Sequence, residues 1–263
     1  MRKQKFNLPI KIISFLVIIL LAFSFIIGYI WKVLTTADFF AVQQVVVRNS
    51  DNQFEYLKSR NIFSLNLSNE AWKTFLRCPD CRKVRFARIL PNCIVVDFLK
   101  RKPVALVKFY KNFAIDEQGV LFYPNLATEE LELPVIYGLE TKIFAPKPGM
   151  SYKRLELSLA LSIIHEFKAN KAFSGFSLKR IDVASLGSAA FFMLLPKQIA
   201  NYTLSAPGGA EWLGFEVRIG ANNIRQKMMI LGGLVIQERK EWSNIKYIDL
   251  RFKEPLIKLN NVK

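Results

Sequence analysis

Histidine is nearly absent from this sequence: His165 is the one example among 263 residues. A Ser–His or Cys–His nucleophilic pair therefore has a single candidate base, and no G-x-S-x-G stands near it. H-E-x-x-H and G-x-x-x-x-G-K-[ST] are also missing, which removes the signatures of zincin metalloproteases and P-loop nucleotide binding. His165 falls in a segment of helical periodicity and reads as a surface or boundary residue. Cysteine is sparse, limited to Cys78, Cys81 and Cys93. A zinc site built on these thiolates lacks a fourth ligand nearby. Repeats and low-complexity tracts are not found. Glu129, Glu130 and Glu132 read as a solvated acidic loop, because adjacency in sequence does not make carboxylates converge on one atom. Pro207-Gly208-Gly209-Ala210 has no strand–loop–helix context for phosphate and reads as a hairpin turn. No catalytic residue, cofactor or metal is expected.

Acidic residues are in deficit, 21 against 38 Lys and Arg, for a net charge of +17. Residues 1–32 hold five cations and no acid, so the remainder keeps 33 cations against 21 acids, a net +12. Such a balance suits lipid headgroups, acidic polymers or nucleic acid, and equally a soluble domain with a basic surface. No Arg-rich recognition helix or zinc-finger spacing is present, so nucleic acid is not an expected partner.

What the sequence does have is an uncharged run, Ile12 to Trp31, broken only by Ser14, Ser24 and Gly28. As a helix, 20 residues at about 1.5 Å each cross about 30 Å of bilayer hydrocarbon. Arg2, Lys3, Lys5 and Lys11 precede it, which favours a cytoplasmic N-terminus and an exported remainder. A cleaved signal peptide fits less well. Its apolar segment is usually about 7–15 residues, whereas this one is longer and ends in Tyr29 and Trp31, residues of the interfacial belt.

After a short linker, Val42–Arg48 is β-branched and reads as a strand. Asn49–Asn52 forms a turn before a helix over Gln53–Arg60. A second helix, Glu70–Arg77, capped by Ser68 or Asn69, presents Trp72, Phe75 and Leu76 as its apolar face. Strands follow at Val84–Leu90 and Ile94–Leu99 around Pro91-Asn92. The order is β-α-α-β-β. From Pro103 onward short strands and turns dominate, with Asp116-Glu117-Gln118-Gly119 a turn in which Gly119 takes positive φ. The periodicity predicts helices over Tyr152–Asn170, striped by Leu157, Leu161, Ile164 and Lys168, and over Asn223–Glu238, striped by Ile224, Met228, Leu231 and Val235. Gly232-Gly233 weakens the latter and implies close packing there. Strands are expected at Leu178–Val183, Ala189–Leu195, Tyr202–Ser205, Phe215–Ile219, Ile245–Phe252 and Leu256–Leu259. The fold class is α+β, with an N-terminal membrane helix, a small β-α-α-β-β layer and a β-rich domain carrying two packed helices.

Outside the cytoplasm thiols tend to oxidise. One disulfide and one free thiol are expected, with Cys78–Cys81 and a pairing of either to Cys93 both open. Cys78-Pro79-Asp80-Cys81 also has the spacing of a thiol–disulfide oxidoreductase motif, and an exported, anchored enzyme of that class is the alternative function.

The succession of motifs resembles the FtsQ/DivIB family of bacterial cell-division proteins. Phe40-Ala41-Val42-Gln43-Gln44-Val45-Val46-Val47 is similar to the first strand of the family's POTRA module. Val84, Ala87, Pro91-Asn92, Ile94 and Val96, followed by Arg101-Lys102-Pro103-Val104-Ala105, resemble its strand pair and the exit into its β domain. Ile115–Phe122, Leu133–Gly138, Val217–Gly220, Lys227 and Tyr247–Phe252 resemble the remainder. The resemblance implies a cytoplasmic tail (1–11), a transmembrane helix (12–31), a linker (32–40), a POTRA module (41–102) and a β domain (103–263). It implies a non-enzymatic scaffold in the inner membrane at the division septum. There it would capture FtsB/DivIC-like and FtsL-like single-span partners and influence septal peptidoglycan synthesis. In the family a partner adds a strand beside the last β-strand, which places contacts on Tyr247, Ile248, Leu250, Arg251, Phe252, Glu254 and Lys258. Independently, the C-terminal strand of a hairpin-built sheet is an expected edge, and edges accept strands.

Overall fold

The structure, a computed structural model, describes residues 10–124, 132–195, 214–237 and 242–260. The chain divides into two compact units, Met1–Arg77 with Cys81–Lys100, and Cys78–Asp80 with Arg101–Lys263.

The first unit begins with helix α1, Ile10–Thr36. From Ser14 to Val33 its side chains are exposed, with Phe25 78% and Leu20 66% exposed, the surface of a helix whose solvent is lipid. The expected linker is shorter than the sequence implied: helix continues to Thr36, and Asp38–Phe40 forms a 3₁₀ turn. The expected cytoplasmic tail lies almost entirely outside the described residues.

A three-stranded sheet follows, made of β1 (Gln44–Arg48), β2 (Cys81–Ile89) and β3 (Cys93–Lys100). Central β3 runs parallel to β1 and antiparallel to β2. Ile94, Val96 and Phe98 alternate inward from β3 and are almost fully buried, as period-2 patterning requires. Of the helix expected over Gln53–Arg60, only a 3₁₀ turn at Glu55–Leu57 forms. Phe54 and Leu57 are buried one tight turn apart. Lys58 is already extended and Ser59 has φ of 63°, outside the right-handed helical region. Helix α2 spans Leu67–Leu76 and starts earlier than expected. Asn66 is its cap, its Oδ1 accepting from Asn69 N at 3.1 Å, which satisfies one of the orphan donors of the first turn. Of the expected apolar face, Phe75 is half-buried, while Trp72 and Leu76 are 59% and 63% exposed.

Among the described residues, the second unit is a nine-stranded sheet with two α-helices. Strands β4 (Ala105–Lys108), β5 (Asn112–Ile115), β6 (Leu121–Phe122) and β7 (Val135–Tyr137) precede α3 (Leu155–Ala169). Then come β8 (Ser177–Asp182), β9 (Ala189–Leu194), β10 (Gly214–Ile219), α4 (Ile224–Gln237), β11 (Ile245–Asp249) and β12 (Leu256–Leu259). Their spatial order is β12-β11-β10-β9-β8-β7-β4-β5-β6. Adjacent β7 and β8 are parallel, as are β10 and β11. Parallel neighbours need a crossover, and α3 and α4 supply one each. Leu157, Ala160, Ile163, Ile164 and Phe167 of α3 and Met228, Leu231 and Val235 of α4 are buried with Phe191, Phe215 and Ile248 of the sheet. Of the expected stripe on α3, Leu157 and Ile164 are buried, Leu161 is half-buried and Lys168 is exposed, and His165 is exposed as expected. Gly232 is closely packed, since an added Cβ would lie 2.7 Å from Asn170 Nδ2, whereas Gly233 faces open space.

Asp116 builds the turn anticipated from Asp-x-x-Gly. Its Oδ1 accepts from Gln118 N and Val120 N at 3.0 and 2.9 Å, and Gly119 has φ of 75°. Its Oδ2 accepts from Arg101 Nη1 at 2.6 Å, and both side chains are buried. The residues at 202–205 and 207–210, together with Glu129 and Glu130, lie outside the described residues.

Candidate partner-binding edge

A sheet edge offers unpaired backbone donors and acceptors, so each end of the nine-stranded sheet is a potential site. At one end β6 is covered: Leu121 N donates to Met150 O at 3.0 Å, and Gly149 N donates to Leu121 O at 2.7 Å. At the other end β12 pairs with β11 on its inner side only, among the described residues. The smaller sheet also has edges, but β2 carries Arg82, Lys83, Arg85 and Arg88, the charged dressing that discourages pairing. On β12, exposed Leu256 and Leu259 flank Lys258.

Register fixes which backbone groups point outward. Tyr247 pairs with Lys258, Ile248 with Ile257 and Asp249 with Leu256. Asn260 N donates inward to Asn244 O at 2.7 Å. Because donors alternate along an antiparallel strand, the N–H groups of Ile257 and Leu259 face away from β11. Pro255 precedes the first residue of β12, so its missing N–H leaves no gap within the strand.

The expected contact residues separate into different environments. Ile248 and Leu250 are 1% and 2% exposed; they hold β11 against the helices and cannot meet a partner with their side chains. The strand expected to run to Phe252 stops at Asp249. The reason is local: Asp249 Oδ1 accepts from Arg251 N at 3.0 Å, an Asx-type turn that competes with the ladder. Arg251 returns its guanidinium to the same carboxylate, Nη2 to Oδ2 at 2.6 Å. That side-chain hydrogen bond holds the Asp249 carboxyl below the ordinary carboxylate range, against the opposing effect of burial. Phe252 projects from the resulting bend, 63% exposed, with the Arg251 guanidinium 5.8 Å from its ring centroid. Glu254 and Lys258 are exposed, and Tyr247 is half-buried.

One part of the surface is not apparent from sequence spacing. The sheet face opposite the helices carries a cross-strand row in which Arg180 pairs with Phe192, Phe192 with Glu216, Glu216 with Tyr247, and Tyr247 with Lys258. Arg218, one step along β10, stacks over Tyr247 at 4.1 Å and bonds Glu216 at 2.7 Å. Alternation of Phe215, Val217 and Ile219 already turns Glu216 and Arg218 outward. Their meeting with Tyr247, about 30 residues on, depends on the crossover through α4.

Cys78 and Cys81 are disulfide-bonded and Cys93 is free. Cys78, Asp80 and Cys81 form the metal-type cluster found among the described residues, but a disulfide offers no thiolate to a metal. The pair links the end of α2 to the start of β2, the reverse of the strand-to-helix setting of a thioredoxin-type motif, which disfavours the oxidoreductase alternative.

No family model matches the chain. It is similar to proteins named cell division protein FtsQ. With that of Geotalea daltonii it shares 23% identity over 242 residues, 88% of this chain and 80% of the relative. With that of Koribacter versatilis it shares 25% over 201 residues, 76% of this chain and 52% of the relative. With that of Geobacter sp. (strain M21) it shares 24% over 179 residues, 68% of this chain and 58% of the relative. The chain thus spans between about half and four-fifths of the length of these relatives.

Proposed function

We propose that this FtsQ-like, single-pass membrane protein is a non-enzymatic scaffold of bacterial cell division that captures a partner by strand addition at β12. The names of the relatives support the division role, and α1 supports attachment to the membrane. The observation that carries the strand-addition reading is the outer edge of β12: outward N–H groups at Ile257 and Leu259, exposed Leu256 and Leu259, and Phe252 just before it. A partner segment in extended conformation would gain main-chain hydrogen bonds there and seat apolar side chains beside the leucines. Arg218, Tyr247 and Lys258 add a mixed aromatic and cationic flank that favours an acidic or aromatic residue on the incoming segment.

By resemblance, the partners are small single-span division proteins of the FtsB/DivIC and FtsL type, and through them the septal peptidoglycan machinery. The POTRA-like first unit would help position the chain at the septum, with its N-terminus cytoplasmic. Affinity purification of the full chain from native membranes, with mass spectrometric identification of what comes with it, tests the reading. Enrichment of single-span division proteins is expected. Recovery of the intact chain without them would overturn it.

A further inference from the structure

The structure also relates the first unit to the membrane. We infer that this unit rests on the bilayer surface, fixed there by Asn61 and seated by Phe39 among lipid headgroups. A helix leaves its last carbonyls without intrahelical partners, a costly condition next to hydrocarbon. In α1 the ladder runs through Ala37 N, which donates to Val33 O at 3.0 Å. The next carbonyl, Leu34 O, accepts instead from the Asn61 side chain, Nδ2 at 2.9 Å. The same nitrogen lies 3.3 Å from Ala37 O, while Asn61 Oδ1 accepts from Phe63 N at 2.9 Å. One side chain from the folded unit therefore caps the membrane helix and braces its own loop.

The tether around this cap is short and ordered. Ala37 separates α1 from the 3₁₀ turn, after which Ile62 N donates to Phe40 O and Val42 N to Arg60 O, each at 2.9 Å. Arg88 ties the same loop to β2, donating to Ile62 O at 2.8 Å and Leu65 O at 2.6 Å. A free hinge would lack these bonds.

An aromatic ladder follows directly on the apolar surface of α1. Phe63 meets Phe40 edge-on at 5.1 Å, and Phe40 meets Phe39 at 5.1 Å. Phe39 ends the ladder and is 68% exposed. It lies three residues beyond a helix suited to hydrocarbon, where the interface accepts aromatic rings. Arg60, beside Asn61 in sequence, is exposed and supplies positive charge for anionic headgroups. The ligand is thus a phospholipid surface.

The inference rests on α1 spanning the bilayer and goes beyond the division role. It is tested with the full chain carrying Cys93→Ser, reconstituted into vesicles of zwitterionic and anionic phospholipid. A nitroxide is placed in turn at Asp38, at Leu20 as a lipid reference and at Ser68 as an aqueous reference. Accessibility to oxygen and to a water-soluble nickel chelate is then measured. Asp38 is expected to fall between the two references, less accessible to nickel than Ser68 and more so than Leu20. Either Asn61→Ala or Phe39→Ser is expected to raise its nickel accessibility several-fold without changing Leu20. Phe39→Ser alters an exposed side chain, so the test survives even where Asn61→Ala fails to fold. An Asp38 label as aqueous as Ser68, or one indifferent to both substitutions, would overturn the inference. An aqueous Leu20 would instead overturn the membrane-spanning reading of α1, and this inference with it.

Discussion

Tyr247 sits directly opposite Lys258 across the last two strands, its ring 5.9 Å from the ammonium and 4.1 Å from the Arg218 guanidinium. This contact pins the register of β12, a four-residue strand that backbone pairing alone would hold weakly. Exposed cation–π pairs contribute about 0.5–1 kcal/mol each, so loss of the ring should loosen the edge without unfolding the domain. Tyr247→Ala is expected to accelerate amide exchange at Leu256 and Lys258, whose N–H groups face β11, while leaving β9 and β10 unchanged. Equal exchange in variant and wild type would count against the role given to Tyr247.

Phe252 tests the bend beside the edge. Because it is 63% exposed and off the strand, Phe252→Ala should change folding stability by no more than about 0.5 kcal/mol. As an anchor for the incoming segment, it should nevertheless lower partner affinity tenfold or more, about 1.4 kcal/mol. Denaturant unfolding reads the first number, and titration of the full chain in detergent or nanodiscs against the partner reads the second. Unchanged affinity would remove Phe252 from the site.

Acid should loosen the C-terminal edge. The carboxyl of Asp249 is held low chiefly by its side-chain hydrogen bond with Arg251. Stability from such a group is complete above the unfolded carboxylate pKa, about 3.9, and is lost as pH falls through the lower folded value. Asp249→Asn is expected to reduce stability near neutral pH by about 1–3 kcal/mol and to flatten the acid limb of a stability–pH curve. Denaturant unfolding from neutral pH down to about 2 checks the slope.

The buried pair Arg101–Asp116 should carry a larger share of domain stability. Asp116→Ala would remove the acceptor of three hydrogen bonds and leave an uncompensated buried guanidinium. Breaking a buried pair from one side costs about 3–5 kcal/mol. A destabilisation below about 1 kcal/mol would mean that water or another group replaces the carboxylate.

Two adjacent glycines in α4 should respond with opposite signs. Gly232→Ala pushes a methyl against Asn170 and Ala172, for an expected loss of about 1–3 kcal/mol. Gly233→Ala meets open space and should gain about 0.5–1 kcal/mol from helix propensity. Thermal unfolding of the two variants decides between these outcomes.

How far the fold could be read from sequence follows from how local each signal is. The apolar run of α1, the alternation of Ile94, Val96 and Phe98, and the Asp116–Gly119 turn need only near neighbours, and all form. The helix expected at Gln53–Arg60 collapses to one 3₁₀ turn because Ser59 takes positive φ. The strand expected to reach Phe252 stops early because the Asp249 side chain captures the Arg251 backbone. Both failures come from side-chain or dihedral choices at a single residue, which hydrophobic periodicity does not register. The stacking of Arg218 on Tyr247 depends on strand order across a crossover, information that no short segment contains.

The central claim is that β12 binds through its backbone edge, and Leu259→Pro tests it most directly. The N–H of Leu259 points away from β11, so proline there removes an outward donor and spares the inward ladder. Leu259→Ala keeps the donor and trims the same side chain. Affinity of the full chain for its co-purifying partner, measured for both variants, should fall at least tenfold for Leu259→Pro and far less for Leu259→Ala, with circular dichroism unchanged. Equal binding by wild type and Leu259→Pro would contradict strand addition at β12.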